Sequence, residues 1–182
     1  MLTTLRRPMV LIPIVLVGIA VITLGMLAFQ PWRLFTNITV DEALPTVSVP
    51  TSASSSPAAP AEPLEPTVLA AGAFISHEHG TSGTARIVAL ADGSRVLRLE
   101  RLDTDNGPDL KVWLTDAPVI DGPAGWLVFD DGDYVDLGSL KGNRGNQNYP
   151  IPAGVDLSDL TSVTIWCDRF SVSFGAAALV EA

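Results

Sequence analysis

Three side chains in this 182-residue sequence are of a type that holds a metal ion or carries an electron: Cys167, the only cysteine, and His77 and His79, the only histidines. A thiol works in this way only as a thiolate with some access to its partner. Arg169 brings positive charge two residues beyond Cys167, and Asp168 opposes it. Two histidines at i and i+2 of an extended segment point the same way and would grip one metal ion. With Cys167 they make a His-His-Cys set of the kind copper takes. No methionine of the C-terminal region can complete it, because Met1, Met9 and Met26 all lie near the N-terminus. Each residue also has a plainer reading. Cys167 shares a period-two face with Val163 and Ile165 and serves as a small buried hydrophobe. The histidines stand exposed near the start of a strand. A single cysteine forms no intrachain disulfide, leaving a free thiol, an intermolecular bridge or a ligand.

Carboxylates and amides supply the remaining chemistry. Asp105, Asn106, Gly107, Pro108 and Asp109 form a turn, since Asn and Gly accept positive φ and Pro108 sets the exit. With Asp103 they also offer oxygens to a hard cation, although the glycine is not where the common calcium loop needs it. Asp130, Asp131, Gly132 and Asp133 read as a hairpin tip. Asn143, Asn146, Gln147 and Asn148 gather in a Gly-rich loop, 143–149, that ends at Tyr149. Neutral amides cannot act as general acid or base, so they either cap backbone groups of a long turn or bind a polar ligand. Trp113 falls opposite the core face of Leu110, Val112 and Leu114 and offers an aromatic contact surface unless a second layer covers it. No nucleophile elbow, phosphate loop, Cys-x-x-Cys pair or zinc-helix motif is present, which gives no ground for expecting an independent enzyme. A net charge of −9 and a pI near 4.5 exclude nucleic acid as an expected partner.

The elements that must position these residues are short strands. The densest run of β-branched and aromatic residues outside the N-terminus is 162–175. Val163, Ile165 and Cys167 share one face, whereas Phe170, Val172 and Phe174 follow the opposite parity, so a bulge, bend or tight hairpin is expected at Asp168 and Arg169. Strands are also expected at 84–90, 95–102, 110–115, 126–129 and 134–137, punctuated by Asp-Gly, Asn-Gly and Pro-Ala-Gly turns. No period of 3.6 runs beyond a turn or two, which predicts an all-β domain over 67–182, an antiparallel β-sandwich or barrel-like fold.

Several of these blocks carry a family resemblance. Ile165-Trp166-Cys167, followed by Phe170 and by Phe174-Gly175-Ala176, resembles the closing segment of the DM13 domain. The block 105–110, the block 137–143 leading into 145–149, and the stretch 79–84 agree in order. The match covers roughly residues 70–182. In DM13 domains this cysteine has been proposed as a redox centre, as a bare thiol or through a prosthetic group such as haem. The resemblance therefore implies an electron-transfer or redox accessory centred on Cys167, with Trp166 and Phe170 shaping its surroundings, haem as a cofactor beside the copper that the His-His-Cys set would take, and a membrane or extracytoplasmic redox protein as partner.

Residues 9–29 carry no charge and are mostly Leu, Ile and Val. A helix of that length spans roughly 30 Å, enough to cross a bilayer, and Leu27-Ala28-Phe29-Gln30-Pro31 makes a poor signal cleavage site. Arg6 and Arg7 precede it and only Arg33 closely follows, which places residues 1–8 in the cytoplasm and the C-terminal domain outside, with Trp32 at the outer interface. This signal-anchor holds no histidine and cannot ligate a haem within the membrane. Residues 30–66 read as a juxtamembrane segment and a linker, of which 45–66 is Pro, Ala, Ser and Thr with too little apolar content to fold. Two lysines beside nine arginines fit a GC-rich bacterial source. The expected protein is thus a single-pass, plasma-membrane-anchored extracytoplasmic module, redox-active at Cys167. The alternative is a non-catalytic binding or structural module that uses the Trp113 face and the 143–149 loop.

Overall fold

The computed structural model describes residues 8–30, 36–45 and 65–182, with the side chains of residues 8–10 left aside. Residues 1–7 with Arg6 and Arg7, residues 31–35 with Trp32 and Arg33, and residues 46–64 of the expected linker lie outside the described residues. Pro8–Phe29 is an α-helix, α1, with Pro13 in its second turn. Pro13 is tolerated there because it interrupts hydrogen bonding only at the helix start. The apolar span Leu11–Phe29 has the length and composition of a membrane crossing.

The folded body spans Asn37–Ala182. Its strands are β1 Thr39–Asp41, β2 Thr67–Ala73, β3 Ile75–Ser76, β4 Ser82–Ala89, β5 Arg95–Asp103, β6 Leu110–Thr115, β7 Tyr134–Ser139, β8 Arg144–Ile151, β9 Ser162–Cys167, β10 Val172–Ala178 and β11 Val180–Glu181. They form two sheets, one ordered β1-β8-β5-β4-β2-β11 and the other β3-β10-β9-β6-β7. Every pairing is antiparallel except β1 with β8. The domain is therefore all-β, and its two sheets meet face to face. Leu97, Leu99, Tyr149 and Ile151 from the first sheet pack with Val112, Leu114, Val163, Ile165, Cys167 and Phe174 from the second in one core. Alternation sets these faces: in β5, Leu97 and Leu99 point inward while Arg98 and Glu100 pair outside.

The change of parity at Asp168 and Arg169 is a tight hairpin. Residues 168–171 turn, the Phe170 amide bonds the Cys167 carbonyl at 3.2 Å, and Ser171 takes φ 48°. Phe170 therefore sits in the turn, half exposed, and shares no strand face with Val172 and Phe174. A register shift between Ser173 and Gly175 then lets Phe174 face the core.

Two expected elements differ. Residues 126–129 are no strand; a 3-10 turn at Pro123–Gly125 runs into further turns, and the chain folds Phe129 over the outer face of the second sheet. Trp126, Val128 and Phe129 read as a strand there, but they pack into the apolar clusters outside any ladder, and the Ser173 amide bonds the Trp126 carbonyl at 2.8 Å. The expected loop 143–149 is strand β8. Its inward positions alternate Gln147, Tyr149 and Ile151, and the two polar members satisfy one another, with the Tyr149 hydroxyl donating to Gln147 Oε1 at 2.8 Å. A polar inward face carries no period-two hydrophobic signal.

β8 is covered on its open edge by a segment that reads as linker. Thr39, Val40 and Asp41 pair in parallel with Arg144, Gly145 and Asn146. The segment 37–44 thus belongs to the folded body, and the boundary at residue 67 leaves out a strand. Leu44 packs with Val88, Leu90 and Val96 on the outside of the first sheet. A chain beginning at Thr67 is expected to be less stable than one beginning at Asn37 by about 2–4 kcal/mol, the net value of several hydrogen bonds and one partly buried leucine. Equal urea midpoints and slopes for the two chains would show that the strand contributes nothing.

Candidate functional site

Cys167 ends β9, the middle strand of its sheet, opposite Val172 of β10 and Leu110 of β6. The free thiol is completely buried and belongs to the inter-sheet core. Two effects oppose one another at the sulfur. Burial disfavours the thiolate and pushes the thiol pKa up; the backbone N–H groups of Phe170, Arg169 and Asp109 favour the thiolate, and the Asp109 charge works against it. Burial wins, so the resting side chain is a protonated thiol. Two of these three groups belong to the hairpin 168–171, so the turn that follows the cysteine partly offsets the effect of burial on its thiol.

Trp166 does not border the thiol. Successive residues of a strand face opposite ways, and Trp166 packs on the outer face with Trp113, ring centroids 5.1 Å apart, and edge-on to Phe129 at 6.4 Å. Trp113 also stacks on Tyr134 at 4.0 Å and is 4% exposed. The expected aromatic contact surface is thus buried, because the connection between β6 and β7 folds back over this face with Ala117, Val119, Val128 and Phe129.

The same covering layer overturns the expectation of exposed histidines. His77 is buried, its ring 5.7 Å from that of Phe129. Its Nδ1 lies 2.7 Å from Ser173 Oγ, which lies 2.8 Å from Thr164 Oγ1. The Nε2 atom is buried without a hydrogen bond of good geometry. Burial lowers the His77 pKa below 6.5, against the Ile120 carbonyl and the Asp121 charge, which favour the cation. His79 goes elsewhere: its ring lies on Phe174 at 3.9 Å and its Nδ1 is 3.0 Å from Asp105 Oδ2. His77, His79 and Cys167 are not brought together. Among the described residues no three His, Cys, Asp or Glu side chains are placed to hold a metal ion. Cys167 is enclosed in an aliphatic and aromatic core and, among the described residues, joins no group of three His, Cys, Asp or Glu, so the residues present do not fit haem or copper.

The turn residues serve the fold. Asn106 is nearly buried, and its Oδ1 accepts from the Gly107 amide. A Cβ at Gly107 would press on Leu110 and Phe174. Asp109 pairs with Lys111 at 3.3 Å, and its carbonyl accepts from the Asp168 amide at 2.9 Å.

The amide cluster does bind something polar: the chain's own segment 37–44. Asn143 Oδ1 accepts from the Ile38 amide at 2.7 Å, while its Nδ2 donates to Asn37 Oδ1. Asn146 Nδ2 reaches Asp41 Oδ1 at 2.6 Å. The Asn148 amide donates to Glu42 Oε2 and its Nδ2 to the Ala43 carbonyl, each at 2.8 Å. Gln147 points inward and closes the turn through the Gly142 amide and carbonyl. Lys141 and Arg98 are the participants that sequence reasoning missed. Lys141 Nζ holds both Glu42 oxygens at 2.8 and 2.9 Å, and Arg98 donates to the Glu42 carbonyl at 3.1 Å. Their partners lie more than fifty residues away in the chain, so no local pattern marks them.

Fold and site together define a β-sandwich domain with one buried thiol at the end of its central strand. The family model described as "DM13: Electron transfer DM13" matches residues 73–179, and the chain belongs to the DM13 family. No curated protein and no solved structure matches the chain.

Two outcomes are expected here. Cys167→Ala costs about 1–2 kcal/mol by removing a small buried apolar group, and Cys167→Ser costs more because a buried hydroxyl adds desolvation, both read by denaturant unfolding. For His77, the folded state holds the ring neutral where the unfolded chain takes up a proton at its ordinary pKa. Its contribution to stability is full above about pH 6.5 and is lost as pH falls below that value toward the lowered folded pKa. His77→Gln should flatten this part of the pH–stability curve; an unchanged slope would show that His77 does not set it.

Proposed function

We propose that this chain is a membrane-anchored, extracytoplasmic DM13 module that acts as a redox accessory through the Cys167 thiol. The observation that carries the reading is the free Cys167 thiol at the end of the central strand β9, covered by the short hairpin 168–171, within a domain of the electron-transfer DM13 family. Backbone donors stabilise a thiolate without a counter-charge. In this reading the hairpin 168–171 must move to uncover the sulfur, with half-exposed Phe170 at its tip. Cys167 then exchanges with a disulfide of a membrane or extracytoplasmic redox protein: its thiolate attacks one sulfur, the partner's S–S bond breaks as the mixed disulfide forms, and the partner's other sulfur leaves and takes up the proton that Cys167 released. No step passes through haem or copper. The length and composition of α1 support the anchor, and Arg6 and Arg7 support a cytoplasmic N-terminus.

A thiol probe applied to the folded domain should modify Cys167 slowly, at a rate limited by opening of the hairpin, and Ser171→Val, which strains the closed turn at φ 48°, should raise the rate several-fold. A domain that stays unmodified until it unfolds would remove the redox reading. External protease applied to intact cells should digest the domain; protection until lysis would reverse the orientation.

A further inference from the structure

The rings on the outer face of the second sheet make a continuous row. Trp166 of β9, Trp113 of β6 and Tyr134 of β7 stand on three neighbouring strands, and each ring is stacked on the next. Trp166 lies on Trp113 at 5.1 Å and 26°, and Trp113 lies on Tyr134 at 4.0 Å and 12°. The inner end is sealed, with Trp166 1% and Trp113 4% exposed, whereas Tyr134 at the outer end is 45% exposed. Burial of this face requires only apolar surface. Tryptophan and tyrosine are also the aromatic side chains from which one electron is most readily removed, and stacked rings in van der Waals contact give that electron a short path. The row ends beside the thiol: Trp166 is the chain neighbour of Cys167, on the opposite face of the strand.

The surroundings give the row a direction. Trp113 Nε1 is buried with no hydrogen-bond acceptor among the described residues. A Trp113 radical cation therefore has no group to take its proton, keeps its charge and stays strongly oxidising. Tyr134 stands at the solvent boundary, where an oxidised phenol gives its proton to water and settles as a neutral radical. Charge acts in the same sense. Between Lys111 and Lys141 the chain has no lysine or arginine but carries Asp116, Asp121, Asp130, Asp131, Asp133 and Asp136, and Asp136 is the register partner of Trp113. These carboxylates draw a positive hole toward this side of the sheet. We propose that Trp166, Trp113 and Tyr134 form a one-electron relay, by which an oxidising equivalent that reaches the covered rings leaves for the surface and spares the Cys167 thiol. A one-electron oxidant of the class of the carbonate radical anion takes an electron from Trp166 or Trp113 and becomes carbonate. An electron then moves from Tyr134 along the row and restores the tryptophan, and the Tyr134 phenol gives its proton to water. The domain is left one electron and one proton short, as a tyrosyl radical at the surface, where a reductant of the thiol class returns both. Neither the opening of the hairpin 168–171 nor any reaction of Cys167 is needed.

Laser flash photolysis of the full-length chain in detergent micelles tests this. A short ultraviolet pulse ionises tryptophan, and nitrous oxide with tert-butanol removes the ejected electron and the hydroxyl radical formed from it. In the parent the tryptophan-radical absorption should decay as the tyrosyl-radical absorption grows, at a rate independent of protein concentration. Tyr134→Phe, which removes only the hydroxyl and keeps the stacked ring, should abolish most of that growth and lengthen the tryptophan-radical lifetime several-fold. Trp113→Phe, which interrupts the row, should lower the growth and strand a radical on Trp166. Cys167→Ala should give the traces of the parent. Unchanged traces in Tyr134→Phe, or tyrosyl growth of full amplitude in Trp113→Phe, would overturn the relay. Loss of the growth in Cys167→Ala would do so too, because the thiol would then belong to the route. Where Trp113→Phe does not fold, Tyr134→Phe decides the matter by itself. A Cys167 thiol that never reacts with a probe removes the thiol-exchange reading and leaves this result untouched.

Discussion

All six residues of β9 are buried, and that constraint organises the domain. A strand covered on both faces needs an apolar set on one side and satisfied polar groups on the other. Val163, Ile165 and Cys167 supply the first against the opposite sheet. On the outer face Ser162 donates to the Ala117 carbonyl at 2.7 Å, and Thr164 meets Ser173. The chain between β6 and β7 returns over this face and gives Ser162 its acceptor, while Thr164 is satisfied within the sheet by Ser173 and the Gly175 carbonyl, and the same return buries Trp113, Trp166 and His77. The 3-10 turn at Pro123–Gly125 is part of that cover, tight enough that a Cβ at Gly125 would strike the Ile120 carbonyl.

Cys167 inherits its properties from this constraint. It stands at the last position of the doubly covered strand, where the ladder ends and the backbone N–H groups of the following hairpin partly offset the effect of burial on the thiol. A thiol in mid-strand would find its neighbours' amides already committed to the sheet. The strand end supplies donors while the core withholds water, and the balance leaves a protonated, shielded thiol. A redox role for such a group is inseparable from motion of the hairpin that encloses it, which ties the chemistry to the local stability of residues 168–171.

The polar side of the first sheet follows a different rule. Charges alternate along the outward positions: Arg98 bonds Glu100, and Arg86 pairs with the same carboxylate at 3.2 Å. Solvent-facing pairs of this kind contribute little each. Around Glu42 the geometry is more demanding, because one carboxylate meets Lys141 and a backbone amide at once. That convergence, with the Asn148 side chain on the neighbouring carbonyl, selects one register for β1 on β8 where hydrophobic burial alone would not.

The sequence by itself determined the features that local patterns encode. Period-two alternation in 95–102 and 110–115 places β5 and β6, the parity change after Cys167 locates the hairpin, and the uncharged run 9–29 yields α1, because each is a repeat or an interruption within a dozen residues. The cysteine's membership of the core was legible too, from its shared face with Val163 and Ile165. Tertiary structure alone decided what covers what. Trp113 on β6 and His77 just past the end of β3 lie on the outer side of the second sheet, and a separate segment packs over them. The amides of β8 were visible as a cluster, but their ligand lies about a hundred residues away, in a stretch that local composition reads as a connector. Burial and hydrogen bonding are pairwise properties of the folded chain, and a contact between segments so distant leaves no periodicity in either.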